Sequence, residues 1–299
     1  MGDILVGTCS WTDPALVRSG WYPTGRRDAE GRLRHYGERF PVVEVDSSYY
    51  ALPSERNSRL WAERTPDGFV FDVKAFSLLT GHPTRSAVMP DGLPADARDP
   101  GVLDEVWARF ATAIAPLRSA RRLGSVLLQF PPRFRPGARA ETVLAETARR
   151  CAGWPLAVEF RHSSWWQEER AEATCALLAR YGMAAVAVDM PQGLAVSVPP
   201  VTPVTTPRLS VVRFHGRSAE WQHGNKEERY RHVYGDDELA EWLPRLRELA
   251  GRVEQVHVLF NNCCGDAAVR AAERMARLLG TGPLAGPGTA AGRTAATGR

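Results

Sequence analysis

Eight short runs of β-branched and other apolar residues punctuate the chain: Ile4–Cys9, Val42–Ser47, Phe69–Ala75, Ser125–Phe130, Leu156–Arg161, Ala184–Asp189, Ser210–His215 and Gln255–Asn261. Each has the length of a buried strand. Most of the intervals between them repeat apolar residues at helical spacing. Ser54–Arg64 opens on a serine, a residue type that caps helix N-termini, and carries Leu60 and Trp61. Val102, Val106, Phe110 and Ile114 recur every fourth residue and make one apolar stripe on a helix over 102–117. Thr142–Cys151, Glu168–Tyr181, Asp237–Leu249 and Ala267–Leu279 read the same way, with Gly182 and Gly280 placed to end two of them.

Strand alternating with helix is the pattern of a parallel α/β protein. Eight such units predict a (β/α)8 TIM barrel, a single domain over residues 1–280. The rival, a doubly wound open sheet, would place a GxGxxG phosphate loop after the first strand, and Gly7-Thr8-Cys9-Ser10-Trp11 lacks that spacing. Two connections break the rhythm. Residues 76–100, after strand three, form a long loop rich in Gly, Pro and Asp, the size of a lid or a surface insertion. Residues 190–208 hold Pro191, Pro199, Pro200, Pro203 and Pro207, so an irregular connection replaces a helix after strand six. The Gly/Ala/Thr/Pro tail, 281–299, is expected to be disordered.

Barrel strands alternate between the helix layer and the lumen. In strand two Glu44 and Asp46 share one phase; Asp72 and Lys74 share one in strand three, Glu159 and Arg161 in strand five, and Arg213 and His215 in strand seven. Gln129, Asp189 and Asn261 close strands four, six and eight. Polar side chains thus fall near the C-terminal ends of seven strands, the end where barrel enzymes keep their chemistry. Burying that many charges costs stability, so the ring is read as a functional site rather than a set of ion pairs such as Glu44–Lys74 and Glu159–Arg213. Trp11, Tyr49, Tyr50, Trp165, Trp166 and Trp221 follow the strands and are expected to offer rings at the mouth for stacking on a sugar or a base.

Composition narrows the class. The chain of 299 residues is 44% hydrophobic and 24% charged, ordinary globular values. No apolar run has the length of a membrane span, and the N-terminus carries no basic, apolar leader, so the expected location is cytoplasmic. Five cysteines, an odd number, suit a reducing compartment. A net charge of +4 gives no positive reason to invoke nucleic acid, although it is compatible with a polyanion. No feature specifies a cofactor or an oligomeric state.

The segments VGTCSW, VVEVDSSYYALP, RTPDGFVFDVKAF, LLQFPPRF, LAVEFRHSSWW, VVRFHG, VYGDDELAEW and LFNN, in this order, resemble the DUF72 (YecE-like) family over essentially the whole ordered chain. The resemblance implies a TIM barrel and supplies no reaction. Asp46 stands where the family usually has Asn, and Cys9-Ser10 where it has Ser-Gly.

The chemistry expected of the ring is acid–base catalysis by a hydrolase or lyase on a small anionic substrate, phosphorylated or sugar-containing. Glu44, Glu159, His215 and Lys74 are the catalytic candidates, with Glu44 and Glu159 facing one another across the lumen. Arg161, Arg213, His162, Gln129, Asp189, Asn261, Trp11, Tyr49 and Trp165 are the binding candidates, the arginines for their bidentate grip on phosphate or carboxylate. One alternative is a divalent-metal phosphoesterase or nuclease using Glu44, Glu159, Asp189 and His215 as ligands. A second places zinc or an iron–sulfur cluster on Cys9, Cys263 and Cys264. A third is a ligand-binding barrel without catalysis.

Overall fold

A computed structural model describes residues 1–90, 92–96, 99–194, 196–262 and 264–282. The elements follow in the order β1 (Asp3–Thr8), α1 (Pro14–Arg18), α2 (Ala29–Gly37), β2 (Val42–Val45), α3 (Glu55–Glu63), β3 (Val70–Lys74), α4 (Pro100–Ser119), β4 (Leu123–Gln129), α5 (Ala138–Arg150) and β5 (Leu156–Glu159). Then come α6 (Glu168–Arg180), β6 (Met183–Asp189), β7 (Leu209–Phe214), α7 (Lys226–Arg229), α8 (Asp236–Ala240), α9 (Leu243–Ala250), β8 (Gln255–Phe260) and α10 (Ala267–Leu279). The eight strands, all parallel, close in sequence order, β1 pairing with both β2 and β8. The chain is a (β/α)8 barrel.

Local chemistry sets the element ends. Ser54 accepts from the backbone N–H of Asn57 at the start of α3, and Asp99 from Gly101 and Val102 at the start of α4, where Pro100 occupies the first helical position. The α4 stripe, Val102, Val106, Phe110 and Ile114, is buried against the barrel. Truncating a fully buried ring such as Phe110 to Ala costs about 3–5 kcal/mol. The proline-rich segment between β6 and β7 forms no helix among its described residues. The connection after β3 is not one open lid: Ser77–Thr80 and Ser86–Val88 form short 3-10 turns, with Leu78, Leu79 and Met89 buried. Of the 281–299 tail, residues 283–299 lie outside the described residues.

Register fixes which side chains enter the lumen, because paired residues of neighbouring strands point to the same face. Glu44 pairs with Asp72, Gln129 with Glu159, Val188 with Arg213, and Arg213 with Leu259. Cys9, Glu44, Asp46, Asp72, Lys74, Gln129, Glu159, Arg161, Arg213, His215, His257 and Asn261 therefore share the lumen phase. Strand six is the exception. Asp189 pairs with Phe214, which faces the helix layer, and the lumen face of β6 is Val186 and Val188. Asp189 lies outside the ring that the sequence predicts for it.

Candidate active site

Arg213 occupies the centre of the lumen and is fully buried. Its Nε and Nη2 donate to the two oxygens of Glu44 at 2.9 and 2.7 Å, while Nη1 donates to Glu159 Oε2 at 2.5 Å and to Gln129 Oε1 at 3.3 Å. One guanidinium thus ties β7 to β2, β4 and β5. Glu44 and Glu159 do face one another, with Arg213 between them, so Arg213 has no face left for a substrate. Glu159 and Arg213 thus form an ion pair of the kind that the functional reading of the ring set aside, whereas Lys74 does not pair with Glu44. Its Nζ donates to Asp46 Oδ1 at 2.8 Å. Asp46 sits nearer the mouth, at the start of the 3-10 turn Asp46–Tyr49 that follows β2, and the fork of Arg213 already fills both Glu44 oxygens.

The second Glu159 oxygen accepts from Arg161 Nη1 at 2.8 Å and meets His215 Nε2 at 3.1 Å, and His215 Nδ1 lies 3.1 Å from Asn261 Nδ2. His215 Nε2 also lies 2.9 Å from Arg161 Nη1, so the imidazole closes a triangle with the Glu159 carboxylate and the Arg161 guanidinium. Burial, reinforced by Arg161 and opposed by Glu159, lowers His215 to about 4, so it is uncharged at pH 7. Burial by itself raises Glu159, but Arg213, His215 and Arg161 outweigh it and hold the carboxyl well below its usual range. Burial raises Glu44 to about 7 against the pull of Arg213 and Lys74. Lys74 loses to burial and gains more from Asp46, so its ammonium is held charged. Burial, then Glu44, pushes the Cys9 thiol up, and its Sγ lies 3.6 Å from both Glu44 and Arg213.

Above this layer a cavity of about 760 Å³ opens at the C-terminal end, walled by Lys74, Arg161, Gln129, Tyr49, Trp221 and Tyr230. A second cavity of about 250 Å³ adjoins it, sharing Lys74, Tyr50 and Tyr230 and reaching Asp46 and Asn261. Each mouth cation sits against a ring: Lys74 Nζ is 4.6 Å from the Tyr49 centroid and the Arg161 guanidinium 5.4 Å from that of Trp221. His82, from the loop after β3, packs edge-on to Tyr49 at 5.2 Å. Its Nδ1 meets Thr80 Oγ1 at 2.9 Å, and its Nε2 has no hydrogen-bond partner among the described residues. Burial and the cations Lys74, Arg133 and Arg161 lower it to about 4.

The structure thus gathers Glu44, Glu159, His215, Lys74, Arg161, Arg213, Gln129, Asn261 and Tyr49, and leaves out four candidates. Asp189 accepts from Arg217 (2.7 Å), Tyr234 (2.7 Å) and Trp242 (2.8 Å) on the outer side of β6. The four-ligand metal set therefore loses Asp189, and its two glutamates are taken by arginines. His162 turns to the rim, where its Nδ1 meets Ser164. Trp11 is buried edge-on to Trp61 and Phe71, and Trp165 stacks at 3.8 Å on Phe160, both behind the strands. Trp11 packs on Trp61 of α3 and Phe71 of β3, and Trp165 on Phe160 and on Phe134 of the β4–α5 turn, so neither offers a stacking surface. Of the cysteine set, Cys263 lies outside the described residues, while Cys9 is buried and Cys264 half-buried. Among the described residues no group of three or more His, Cys, Asp or Glu is placed to hold a metal ion. Sequence reasoning passed over His82 and Tyr230. Both lie in irregular connections, where no periodicity assigns a direction.

The family model described as "Protein of unknown function DUF72" matches residues 5–292. The UPF0759 protein YunF of Bacillus subtilis (strain 168) is 32% identical over 282 residues, 92% of this chain and 94% of that protein. The UPF0759 protein YecE of Escherichia coli (strain K12) is 29% identical over 136 residues, 44% of this chain and 39% of its own length. Two solved structures are similar. A DUF72 family protein of Enterococcus faecalis V583 has a TM-score of 0.78 at 25% identity, covering 94% of this chain and 98% of that one. One from Thermotoga maritima MSB8 has 0.76 at 30%, covering 93% and 99%. With the closed eight-stranded barrel and the predicted motifs in place along it, the chain belongs to the DUF72 family.

Proposed function

We propose that the chain is an enzyme, a hydrolase or lyase, acting on a small anionic substrate, phosphorylated or sugar-containing, at the C-terminal barrel mouth. The observation that carries this reading is the pairing of Lys74 and Arg161 in the wall of one cavity, each backed by an aromatic ring. Two fixed cations suit a phosphate or carboxylate, and Tyr49, Trp221 and Tyr230 suit the apolar faces of a sugar.

The acid–base assignment follows accessibility. Glu44, Glu159 and His215 lie beneath the cavity floor, fully buried. In this reading Glu159 and His215 fix the Arg161 guanidinium, and Glu44 fixes Arg213. Proton transfer falls to the carboxylate that reaches the mouth, Asp46, 24% exposed and held by Lys74. Four described cysteines are free thiols, which supports action in a reducing, cytoplasmic setting. No helix among the described residues is long and apolar enough to cross a membrane.

The test is turnover of a panel of phosphorylated sugars, followed by phosphorus NMR, for the wild type, Lys74→Gln, Arg161→Gln and Asp46→Asn. Conversion of at least one panel member is expected. The Lys74 and Arg161 changes should each weaken binding about tenfold, and Asp46→Asn should lower kcat with little change in KM. Saturable binding without turnover would replace the enzyme reading with a ligand-binding barrel. Turnover only with added divalent cation would favour metal chemistry.

A further inference from the structure

A third cavity, of about 560 Å³, lies beside the mouth between the loop after β3 and the turn joining β4 to α5. Its size falls in the roughly 300–1,000 Å³ of small-molecule sites. Its floor is apolar: Leu78, Leu79 and Phe130 are buried beneath it, and Leu103, Phe134 and Val143 remain half-open along it. Its rim is basic, carrying Arg133, Arg135 and Arg139, all exposed. Arg133 donates to the Gly81 carbonyl and so braces the two loops. Arg135 and Arg139 form no ion pair among the described residues. Asp96 is the acid in the lining.

This groove is not part of the mouth. His82 and the turn at Pro131–Arg133 stand between them: His82 lines the groove and packs on Tyr49 of the mouth wall, while Pro132 faces the mouth. The two chambers also differ in chemistry. The mouth sets cations against aromatic rings over a charged floor, whereas the groove sets arginines above aliphatic side chains and stacked phenylalanines, Phe130 on Phe134 at 4.0 Å. Half-open apolar surface beneath Arg135 and Arg139, neither in an ion pair among the described residues, matches a ligand that is apolar along its body and negative at its end. A wholly hydrophilic anion would leave the floor uncovered, and a neutral chain would leave the arginines unused.

We infer that the groove between the β3 loop and the β4–α5 turn is a second binding site, for a free single-chain amphiphilic anion such as a medium-length acyl carboxylate. The chain lies on Leu79, Leu103 and Val143, and the carboxylate takes Arg135 and Arg139. The site stands independently of the enzyme reading, since none of its arginines lines the mouth cavity.

The experiment titrates decanoate, decanol and inorganic phosphate into the full-length protein and reads the methyl resonances of Leu79, Leu103 and Val143. Saturable shifts are expected with decanoate, at least about tenfold weaker binding with decanol for want of the charge, and no shift at these methyls with phosphate. Arg135→Gln/Arg139→Gln, two exposed changes that leave the floor intact, should weaken decanoate about tenfold. Lys74→Gln should leave it unchanged. Equal binding of decanol, an unaffected double variant, or no saturable shift would overturn the assignment. Shifts seen only with phosphatidylglycerol vesicles would overturn the free-ligand form of it.

Discussion

Glu159 ends β5 and Asp189 ends β6, and each is a buried carboxylate accepting from several side chains. Glu159 faces the lumen, where Arg213, Arg161 and His215 surround it and Arg161 carries the cluster up to an open cavity. Asp189, in the opposite phase, faces the helix layer. Its partners Arg217, Tyr234 and Trp242 bracket the segment between β7 and β8 that brings Trp221 and Tyr230 to the mouth. A buried acid at the C-terminal end of a barrel strand therefore marks a site only when its partners reach a cavity. Otherwise it fastens a loop.

The comparison can be broken most directly at Glu159. Glu159→Ala strands Arg213 and Arg161 without their shared counter-charge and should cost about 3–5 kcal/mol in urea unfolding. Even Glu159→Gln removes that buried charge, so it is expected to disturb folding as well as chemistry; an unchanged midpoint would refute the network's role. Asp189→Asn keeps an acceptor for Tyr234 and Trp242 and loses the charge facing Arg217, a cost of about 1–3 kcal/mol. Amide exchange should rise across residues 216–242 and stay slow in β5; a rise in both would erase the distinction between the two acids.

Acid sharpens the contrast further. His215 and His82 are both lowered to about 4, so the stability they contribute is present above the ordinary histidine value near 6.5 and is lost as pH falls toward 4. Glu159, held low, acts in the same sense at still lower pH. Glu44 acts oppositely: raised to about 7, its contribution is full below about 4.5 and is lost as pH rises through 7. Thermal midpoints should therefore peak between these arms. Glu44→Gln should flatten the upper arm and His215→Gln the lower. An anion at the mouth neutralises the cations that depress His82, so phosphate should raise its NMR titration midpoint. The smallest effect belongs to an exposed pair: Arg59→Ala, removing the contact with Glu55, should move stability by under about 0.5 kcal/mol.

Much of this was legible in the chain. All eight strands lie where the apolar runs predict them, and the phase of β2, β3, β5 and β7 followed from alternating charge within each strand. Strand six defeated that logic because Met183–Val188 is apolar at every position, so nothing in it indicates which side Asp189 takes. The deciding contacts come from residues 28 to 53 positions later. Lys74 had two carboxylates to choose from, Glu44 on β2 and Asp46 just after it, and the choice depended on Arg213 reaching across the lumen. Trp11 and Trp165 follow strand ends, but their rings pack on Phe71 and Phe160 on the helix side, which no local pattern records.

Arg213 also carries a consequence for time. Its partners Glu44 and Glu159 lie 169 and 54 residues earlier in the chain, so the bond to Glu44 joins β2 to β7, distant parts of the chain. If so long-range a contact forms after the folding transition state, its loss acts on the unfolding rate. Stopped-flow kinetics of Glu44→Gln should show faster unfolding with refolding nearly unchanged. With that outcome, the lumen charges set how long a barrel, once closed, stays closed.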